Sequence, residues 1–100
     1  MRLTADQIEA IRSAAAETFG SEARIWLFGS RADDSKRGGD IDLLIQSSAT
    51  GSETEKLTSK IRFLNLLQKQ IGDRKVDVVL ETEHDQRPIV RLAHQTGVEL

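Results

Sequence analysis

The sequence predicts a small α/β fold of the α+β type, in which a mixed β-sheet is flanked by helices. Three short apolar runs have the length and the β-branched or aromatic content of strands. The segments around them carry apolar residues at helical spacing. The elements follow in the order α-β-β-α-β-α, and a chain of 100 residues predicts one domain spanning 1–100.

The first predicted element is a helix over 4–19. Thr4 and Gln7 have the spacing of a capping box, in which each side chain binds the other residue's free backbone amide. Gly20 supplies the expected stop. The residues expected to face the core recur at helical spacing: Ile8, Ile11, Ala15 and Phe19.

Two strands with a long connection are predicted next. The run RIWLF over 24–28 is the first strand, and 40–46 is the second. The residues between them, 29–39, are polar and contain glycine, which predicts a loop with one helical turn after Ser30. Such a loop permits a hairpin.

The second half predicts a long helix over 53–71. Ser52 and Glu55 have capping-box spacing, and Gly72 is the stop. One stripe of this helix is predicted to face the core, with a partner interface as the second interpretation: Leu57, Ile61, Leu64, Leu67 and Ile71.

A third strand and a short helix complete the prediction. The run KVDVVL over 75–80 is the strand, and Arg87 with Pro88 suits a helix first turn. Gly97 ends this helix and leaves a tail that can be extended. The apolar residues of the short helix are Ile89, Val90, Leu92 and Ala93.

Carboxylates occur in the two later strands with the same alternation. Because side chains alternate across a strand, Asp40 and Asp42 face away from the apolar residues between and after them. Asp77 alternates in the same way with its valine neighbours. If the apolar sets pack on the same helices, the three acids lie together. The alternative for Asp40 and Asp42 is a turn-forming pair on a solvated strand end, and the alternative for Asp77 is an exposed residue on an edge strand.

Three neighbouring carboxylates repel one another. At about 4 Å and an effective dielectric near 20, each like-charged pair costs on the order of 4 kcal/mol. No lysine or arginine lies within the apolar parts of these strands. All-oxygen ligands suit Mg²⁺ or Mn²⁺, so the acids predict a metal site for phosphoryl or nucleotidyl transfer.

A Gly-Ser corner follows the first strand directly. Gly29 lets a ligand approach the backbone, and Ser30 offers a hydroxyl and an amide to an anion such as a triphosphate. The alternative is a simple strand-ending turn. Arg31, Lys36 and Arg37 are loop cations that suit phosphate or mere solvation.

This pattern resembles the DNA polymerase β-like nucleotidyltransferases. The resemblance rests on Gly29-Ser30, then nine residues (31–39), then Asp40-Ile41-Asp42, with Asp77 on a later strand. It covers nearly the whole chain and looks most like the minimal nucleotidyltransferases (MNT), which consist of the catalytic core alone. It implies that core fold and transfer of a nucleoside monophosphate, AMP from ATP, to a hydroxyl with release of pyrophosphate.

The resemblance also implies roles for individual residues. Asp40 and Asp42 would bind two Mg²⁺ ions, with Mn²⁺ as an alternative metal. Asp77 would bind the catalytic ion and help activate the acceptor. Gly29 and Ser30 would hold the β- and γ-phosphates, and Arg31 joins them as a nucleotide-binding residue.

Minimal members of the family imply a protein partner. Many act as antitoxins of toxin–antitoxin systems beside a HEPN-domain protein, some by transferring AMP onto it. The short chain leaves no room for an acceptor-binding domain, which favours a protein acceptor and a homo- or hetero-oligomer. The alternative function is a non-catalytic antitoxin that neutralises its partner by occlusion.

Composition narrows the classes of ligand, chemistry and location that the sequence allows. The net charge of −2 and the four aromatic residues disfavour a long nucleic acid as ligand. The absence of cysteine excludes disulfides, zinc–thiolate sites and thiol catalysis. No signal peptide or long apolar run is present, so no membrane association and a cytoplasmic location are expected.

Overall fold

The computed structural model describes residues 1–33, 38–47 and 51–100. The helices and strands follow the order expected from the sequence, and a fourth, short strand follows the last helix. The bounds are α1 Ala5–Phe19, β1 Arg24–Phe28, a 3₁₀ turn Gly29–Arg31, β2 Ile41–Gln46, α2 Glu53–Ile71, β3 Val76–Glu81, α3 Pro88–Thr96 and β4 Val98–Glu99.

The strands form one mixed sheet in the order β3-β2-β1-β4. β1 pairs antiparallel with β2, which confirms the predicted hairpin, and β2 pairs parallel with β3 across the α2 crossover. The extended tail becomes β4, which pairs antiparallel with β1. The fold is therefore the small α+β type with a mixed sheet that the sequence predicts.

The two faces of the sheet are covered differently. α1 and α2 pack on one face, and α3 packs on the other. The first core contains Ala10, Ile11, Ala14, Ala15, Ile25, Leu27, Ile41, Leu43, Ile45, Phe63, Leu67 and Val78. The second contains Trp26, Phe28, Leu44, Val90 and Ala93. Trp26 is thus a core residue, on the same face of β1 as Phe28.

The helix ends follow the expected capping chemistry. Thr4 accepts a hydrogen bond from the Gln7 amide, and the Gln7 side chain accepts one from the Thr4 amide, so the predicted capping box is confirmed. At the start of α2 only half of the predicted capping box forms: Ser52 Oγ accepts from the Glu55 amide, whereas the Glu55 carboxylate accepts from the Ser52 hydroxyl and not from its amide. Pro88 occupies the first turn of α3.

The predicted core stripe of α2 is wrong in its first half. Leu57 and Ile61 are 58% and 50% exposed, whereas Phe63 and Leu67 are fully buried. The core-facing side of α2 is rotated from the predicted stripe, because the helix carries apolar residues around more than half of its circumference. Leu64 and Ile71 are half-buried at its margin. Within the described residues, no helix is long and apolar enough to cross a membrane.

Candidate active site

The sheet brings Asp42 and Asp77 side by side. They are direct partners in the parallel register of β2 and β3. Their neighbours Leu44 and Val79 belong to the α3-side core, so both acids lie on that face of the sheet. α3 covers the inner part of the face through Leu44 and leaves Asp77 exposed. The predicted juxtaposition of these two carboxylates is confirmed.

Asp40 lies one residue before β2 and is half exposed to solvent. Its Oδ2 is 3.5 Å from Lys75 Nζ, and Lys75 precedes β3 at the same edge of the sheet. The adjoining backbones are joined by a hydrogen bond from the Ile41 amide to the Lys75 carbonyl, at 3.0 Å. Although the apolar parts of the strands carry no cation, Lys75 thus partly neutralises the first acid.

Asp42 is the carboxylate whose ionisation the site perturbs. Burial raises the pKa of Asp42, and the negative charges of Asp77 and Asp40 raise this pKa further, while Lys75 opposes the shift. Two different causes therefore disfavour the ionised form of this carboxyl. A cation bound at Asp42 would relieve both.

Gly29 gives Asp42 the space it occupies. Gly29 has φ +75°, a left-handed conformation that favours glycine, and a β-carbon there would collide with Asp42 Oδ2. On the neighbouring strand, Phe28 is the direct partner of Asp42. The glycine of the Gly-Ser corner therefore has a role in the packing of the acid as well as the expected role toward phosphate.

The Gly-Ser corner is the first part of the 3₁₀ turn. The turn closes with a hydrogen bond from the Ala32 amide to the Gly29 carbonyl, at 3.2 Å. Ser30 is half-buried, and a β-carbon on Gly38 would lie 2.6 Å from Ser30 Oγ. The predicted helical turn is confirmed, and it starts one residue earlier than expected.

Arg31 makes contacts that the sequence did not predict. Its Nε and Nη2 donate to the Gly39 carbonyl at 3.2 and 3.0 Å, and its Nη1 donates to the Arg2 carbonyl at 3.0 Å. Burial lowers the pKa of Arg31, as do the nearby charges of Arg74 and Arg2, with Asp40 opposing. A phosphate contact of Arg31 stays a prediction, and Lys36 and Arg37 lie outside the described residues.

Arg2 is the residue at this corner that sequence reasoning missed. Its Nη2 donates to the carbonyls of Ser30 and Gly38, at 3.2 and 2.9 Å. Its backbone amide donates to the Arg31 carbonyl at 2.7 Å. These partners are main-chain atoms far away in the chain, which leave no motif in the sequence. The structure thus shows that the positive charge of Arg2 lies next to the Gly-Ser corner.

The donor set fits a hard divalent cation. Carboxylate oxygens are the preferred ligands of Mg²⁺, and such an ion would offset the burial and the like-charge repulsion that raise the pKa of Asp42. Among the described residues, no three acidic or histidine side chains converge closely enough to enclose an ion. Asp42 and Asp77 would form the core of such a site, and Asp40 would join them by leaving Lys75.

A separate cavity of about 160 Å³ lies at the opposite end of the sheet. Its lining includes Phe19, Ile45, Lys56 and Leu80. The carboxylates lie at the amino-terminal ends of β2 and β3, whereas Ile45 and Leu80 lie near the carboxyl-terminal ends of these strands. The cavity and the acidic site are therefore separate features.

Comparison with known proteins agrees with this arrangement. The model of the nucleotidyltransferase domain family matches residues 8–96. The chain belongs to this family. The match includes the Gly-Ser corner, Asp40, Asp42 and Asp77, but Arg2 precedes it. A search of curated proteins gives no match.

Family membership fixes the general chemistry of this nucleotidyltransferase domain, which is nucleotidyl transfer. The fold places the Gly-Ser corner at the end of β1 and the paired acids at the entrances of β2 and β3. Both therefore lie at one edge of the sheet.

Proposed function

We propose that this nucleotidyltransferase domain requires Mg²⁺, takes ATP as donor and transfers AMP to a hydroxyl of a partner protein. The observation that carries the proposal is the register of Asp42 with Asp77, next to the Gly29 corner. Two crowded carboxylates beside an anion-binding corner suit a metal–triphosphate ligand, because the metal offsets the acids and the corner receives phosphate.

The proposed reaction is a displacement at the α-phosphorus of ATP. The acceptor oxygen forms a bond to this phosphorus, the bond between the phosphorus and the α–β bridging oxygen breaks, and pyrophosphate leaves. The hydroxyl proton passes toward the carboxylate of Asp77, the more exposed member of the pair. Gly29 and Ser30 hold the β- and γ-phosphates and so orient the leaving group.

The acids would hold the metal in this scheme. Asp40 and Asp42 would bind both ions of a two-ion site, and Asp77 would bind the catalytic one, with Mn²⁺ as an alternative to Mg²⁺. Such ions lower the pKa of an attacking hydroxyl and stabilise charge on the leaving oxygen. Lys75 would be released from Asp40 when a cation binds and becomes free to contact phosphate.

The proposed partner is a HEPN-domain protein whose toxicity the transfer suppresses. Support comes from the resemblance to minimal nucleotidyltransferases and from the net charge of −2, which disfavours a long polynucleotide as acceptor. An antitoxin that acts by modification needs intact acids. It also needs a surface that the acceptor can reach, and Asp77 is exposed.

Calorimetric titration tests the donor. ATP, GTP, CTP and UTP are added to the protein with and without Mg²⁺, and to the Asp42→Ala variant. We expect Mg²⁺-dependent binding of ATP that the variant loses. If another nucleotide binds and ATP does not, that nucleotide is the donor and the assignment of ATP is wrong. If no triphosphate binds, the proposed nucleotide site is refuted.

Transfer is tested with α-labelled ATP and a HEPN-domain protein added as the candidate acceptor. We expect Mg²⁺-dependent label on the partner and none with Asp42→Ala or Asp77→Ala. Mass spectrometry would then locate AMP on a hydroxyl side chain. Persistent binding of the partner without labelling would refute transfer to it.

A second candidate function is a binding module that neutralises its partner by occlusion. The observation in its favour is the exposed apolar pair Leu57 and Ile61, one turn apart on α2. The two candidates differ in the Asp42→Ala variant. Occlusion predicts full neutralisation by this variant, whereas transfer predicts that the complex still forms but the toxin stays active.

A further inference from the structure

Two arginines tie the N-terminal segment to both ends of the connection between β1 and β2. Arg2 and Arg31 exchange hydrogen bonds, since the Arg2 amide donates to the Arg31 carbonyl and the Arg31 side chain donates through Nη1 to the Arg2 carbonyl. Arg2 Nη2 spans the carbonyls of Ser30 and Gly38. The start and the end of the connection are therefore held by one guanidinium.

These contacts fix the shape of the corner rather than that of a helix or strand. Hydrogen bonds from a charged donor are shorter and stronger than those between neutral groups. Arg2 reaches across 28 residues to Ser30 and 36 residues to Gly38, so it adds to the bonds of Arg31 with Gly39 in holding the two ends of the connection together. The contact with Gly38 also brings this glycine against Ser30 Oγ.

One nitrogen of the Arg2 guanidinium lacks a hydrogen-bond acceptor within the part of the chain that the structure describes. Among the described residues, its Nε is buried and has no acceptor. A buried donor without an acceptor destabilises the folded state. The hydrogen bonds of Nη2 to the two carbonyls offset this loss. The guanidinium is thus held in position by its carbonyl partners at the corner.

We propose that Arg2 is a positioning residue for the triphosphate: it holds the Gly-Ser corner in its binding conformation before the nucleotide arrives. The inference rests on the proposed function and adds a residue outside the family match over 8–96. If the corner is preformed only in part of the molecules, the apparent Kd rises by the inverse of that fraction. Loss of Arg2 therefore weakens nucleotide binding through the corner.

The test compares Arg2→Met with Arg2→Lys and Arg12→Met. Methionine keeps the apolar stem and removes the donors, whereas lysine keeps a charge that can donate to both carbonyls. Arg12 is exposed on α1, and Arg12→Met removes the same charge elsewhere. The readouts are amide exchange of residues 29–33 without nucleotide, and the Kd for ATP with Mg²⁺ at a temperature at which all variants are folded.

We expect Arg2→Met to speed amide exchange at 29–33 and to raise the Kd for ATP about tenfold. A tenfold rise corresponds to a corner that is formed in about a tenth of the molecules. Arg2→Lys should recover part of both effects, and Arg12→Met should resemble the wild type. Wild-type exchange and Kd in Arg2→Met would overturn the proposal. Faster exchange throughout α1 and β1 would also overturn it, because Arg2 would then act on global stability.

The proposed function and this inference fail separately. If the wild type binds no triphosphate, the proposed function is wrong and so is the positioning of nucleotide by Arg2. The exchange at 29–33 still decides in that case whether Arg2 shapes the corner. If the wild type binds ATP and Arg2→Met binds it equally well, the function stands and the role of Arg2 is refuted.

Discussion

At the scale of single residues, Gly29 and Asp42 depend on each other. The carboxylate of Asp42 occupies the space where any other residue at position 29 would place its β-carbon. Asp42 is in turn a carboxyl whose ionised form the fold disfavours. The corner and the acids therefore form one unit, and a change at Gly29 acts on the acid as well as on the turn.

Replacing Gly29 by alanine should damage both stability and nucleotide binding. The left-handed backbone costs about 1 to 3 kcal/mol for a residue with a β-carbon, and the collision with Asp42 adds to this cost. Gly20→Ala is a matched control, because Gly20 has φ +101° and its added β-carbon meets no atom within 4 Å. Urea unfolding and ATP calorimetry should show both effects in Gly29→Ala but only destabilisation in Gly20→Ala. Equal behaviour of the two variants would contradict the packing argument.

Replacing Asp42 by asparagine should stabilise the protein near neutral pH and abolish transfer. The raised pKa of Asp42 means that the fold disfavours the ionised carboxylate, and asparagine removes this penalty at similar volume. Loss of the ligand removes charge stabilisation worth several kcal/mol, so activity should fall on the order of a hundredfold or more. Thermal unfolding and labelled-ATP transfer measure the two effects. Glu22→Gln, at an exposed position, is the charge control, and a lower Tm in Asp42→Asn alone would refute the expectation.

The sequence predicted the acids but not the contacts of Arg2 with the Gly-Ser corner, and the reason is physical. Alternation along a strand assigns Asp42 and Asp77 to one face without knowledge of any partner. Arg2 instead binds main-chain carbonyls of Ser30 and Gly38, which every residue type possesses. Contacts of this kind become visible only once the chain is folded.

At the scale of elements, α2 shows that periodicity alone places the core-facing side only approximately. The predicted stripe runs from Leu57 and Ile61 to Leu67, and Leu67 is fully buried whereas the first two are exposed. Phe63, one turn before Leu67, is not part of that stripe but is fully buried, so the core-facing side is rotated toward the phenylalanine. The ends of the helix were easier to predict, because Ser52 and Gly72 act locally.

The exposed and the buried ends of the predicted α2 stripe should differ sharply in their contribution to stability. Leu67 is fully buried, so Leu67→Ala should lower the free energy of unfolding by about 2 to 5 kcal/mol. Leu57 is 58% exposed, and Leu57→Ala should change it by at most about 0.5 kcal/mol. Urea denaturation of both variants provides the comparison. A large loss in Leu57→Ala would place this leucine in an interface between copies of the chain, which the concentration dependence of Tm would reveal.

The short strand β4 illustrates a different limit. Its two residues pair with β1, and the Leu100 amide donates to the Ile25 carbonyl at 2.9 Å. The sequence indicated only an extended tail after Gly97. Which edge of the sheet receives such a tail depends on where α3 ends, and that is a tertiary property.

At the scale of the whole molecule, the parallel pairing of β2 and β3 decides whether there is a site. Side-chain direction alternates with each residue, so a slip of one residue in β3 would place Val76 or Val78 opposite Asp42. The apolar face against α2 fixes the register, since Val78 belongs to the first core. The sequence could predict which face carries the acids, because the core and the acids demand the same alternation, whereas the direct pairing of Asp42 with Asp77 is seen only in the folded sheet.

Ionisation at the site links stability to pH in the metal-free protein. The folded carboxyl of Asp42 keeps its proton more tightly than the unfolded chain does, so the folded state holds more protons between the two pKa values. The contribution of Asp42 to stability is therefore present below the ordinary value of 3.8 and is lost as pH rises through the raised pKa. Thermal unfolding in EDTA should show the Tm of wild type falling relative to Asp42→Asn over this window. A difference that does not change with pH would contradict the shift.

Mg²⁺ should reverse this pH dependence. The ion binds the ionised carboxylates, so protons compete with it at Asp42 and its stabilising effect should grow as pH rises. We expect the increase in Tm on adding Mg²⁺ to be larger near pH 8 than near pH 5 for the wild type, and to be nearly lost in Asp42→Asn. Glu22→Gln should behave as the wild type, since its charge lies outside the site. An equal Mg²⁺ effect in Asp42→Asn would place the ion elsewhere. No Mg²⁺ effect in any variant would mean that the metal binds only together with the nucleotide. The same series of Tm measurements with ATP present would test this.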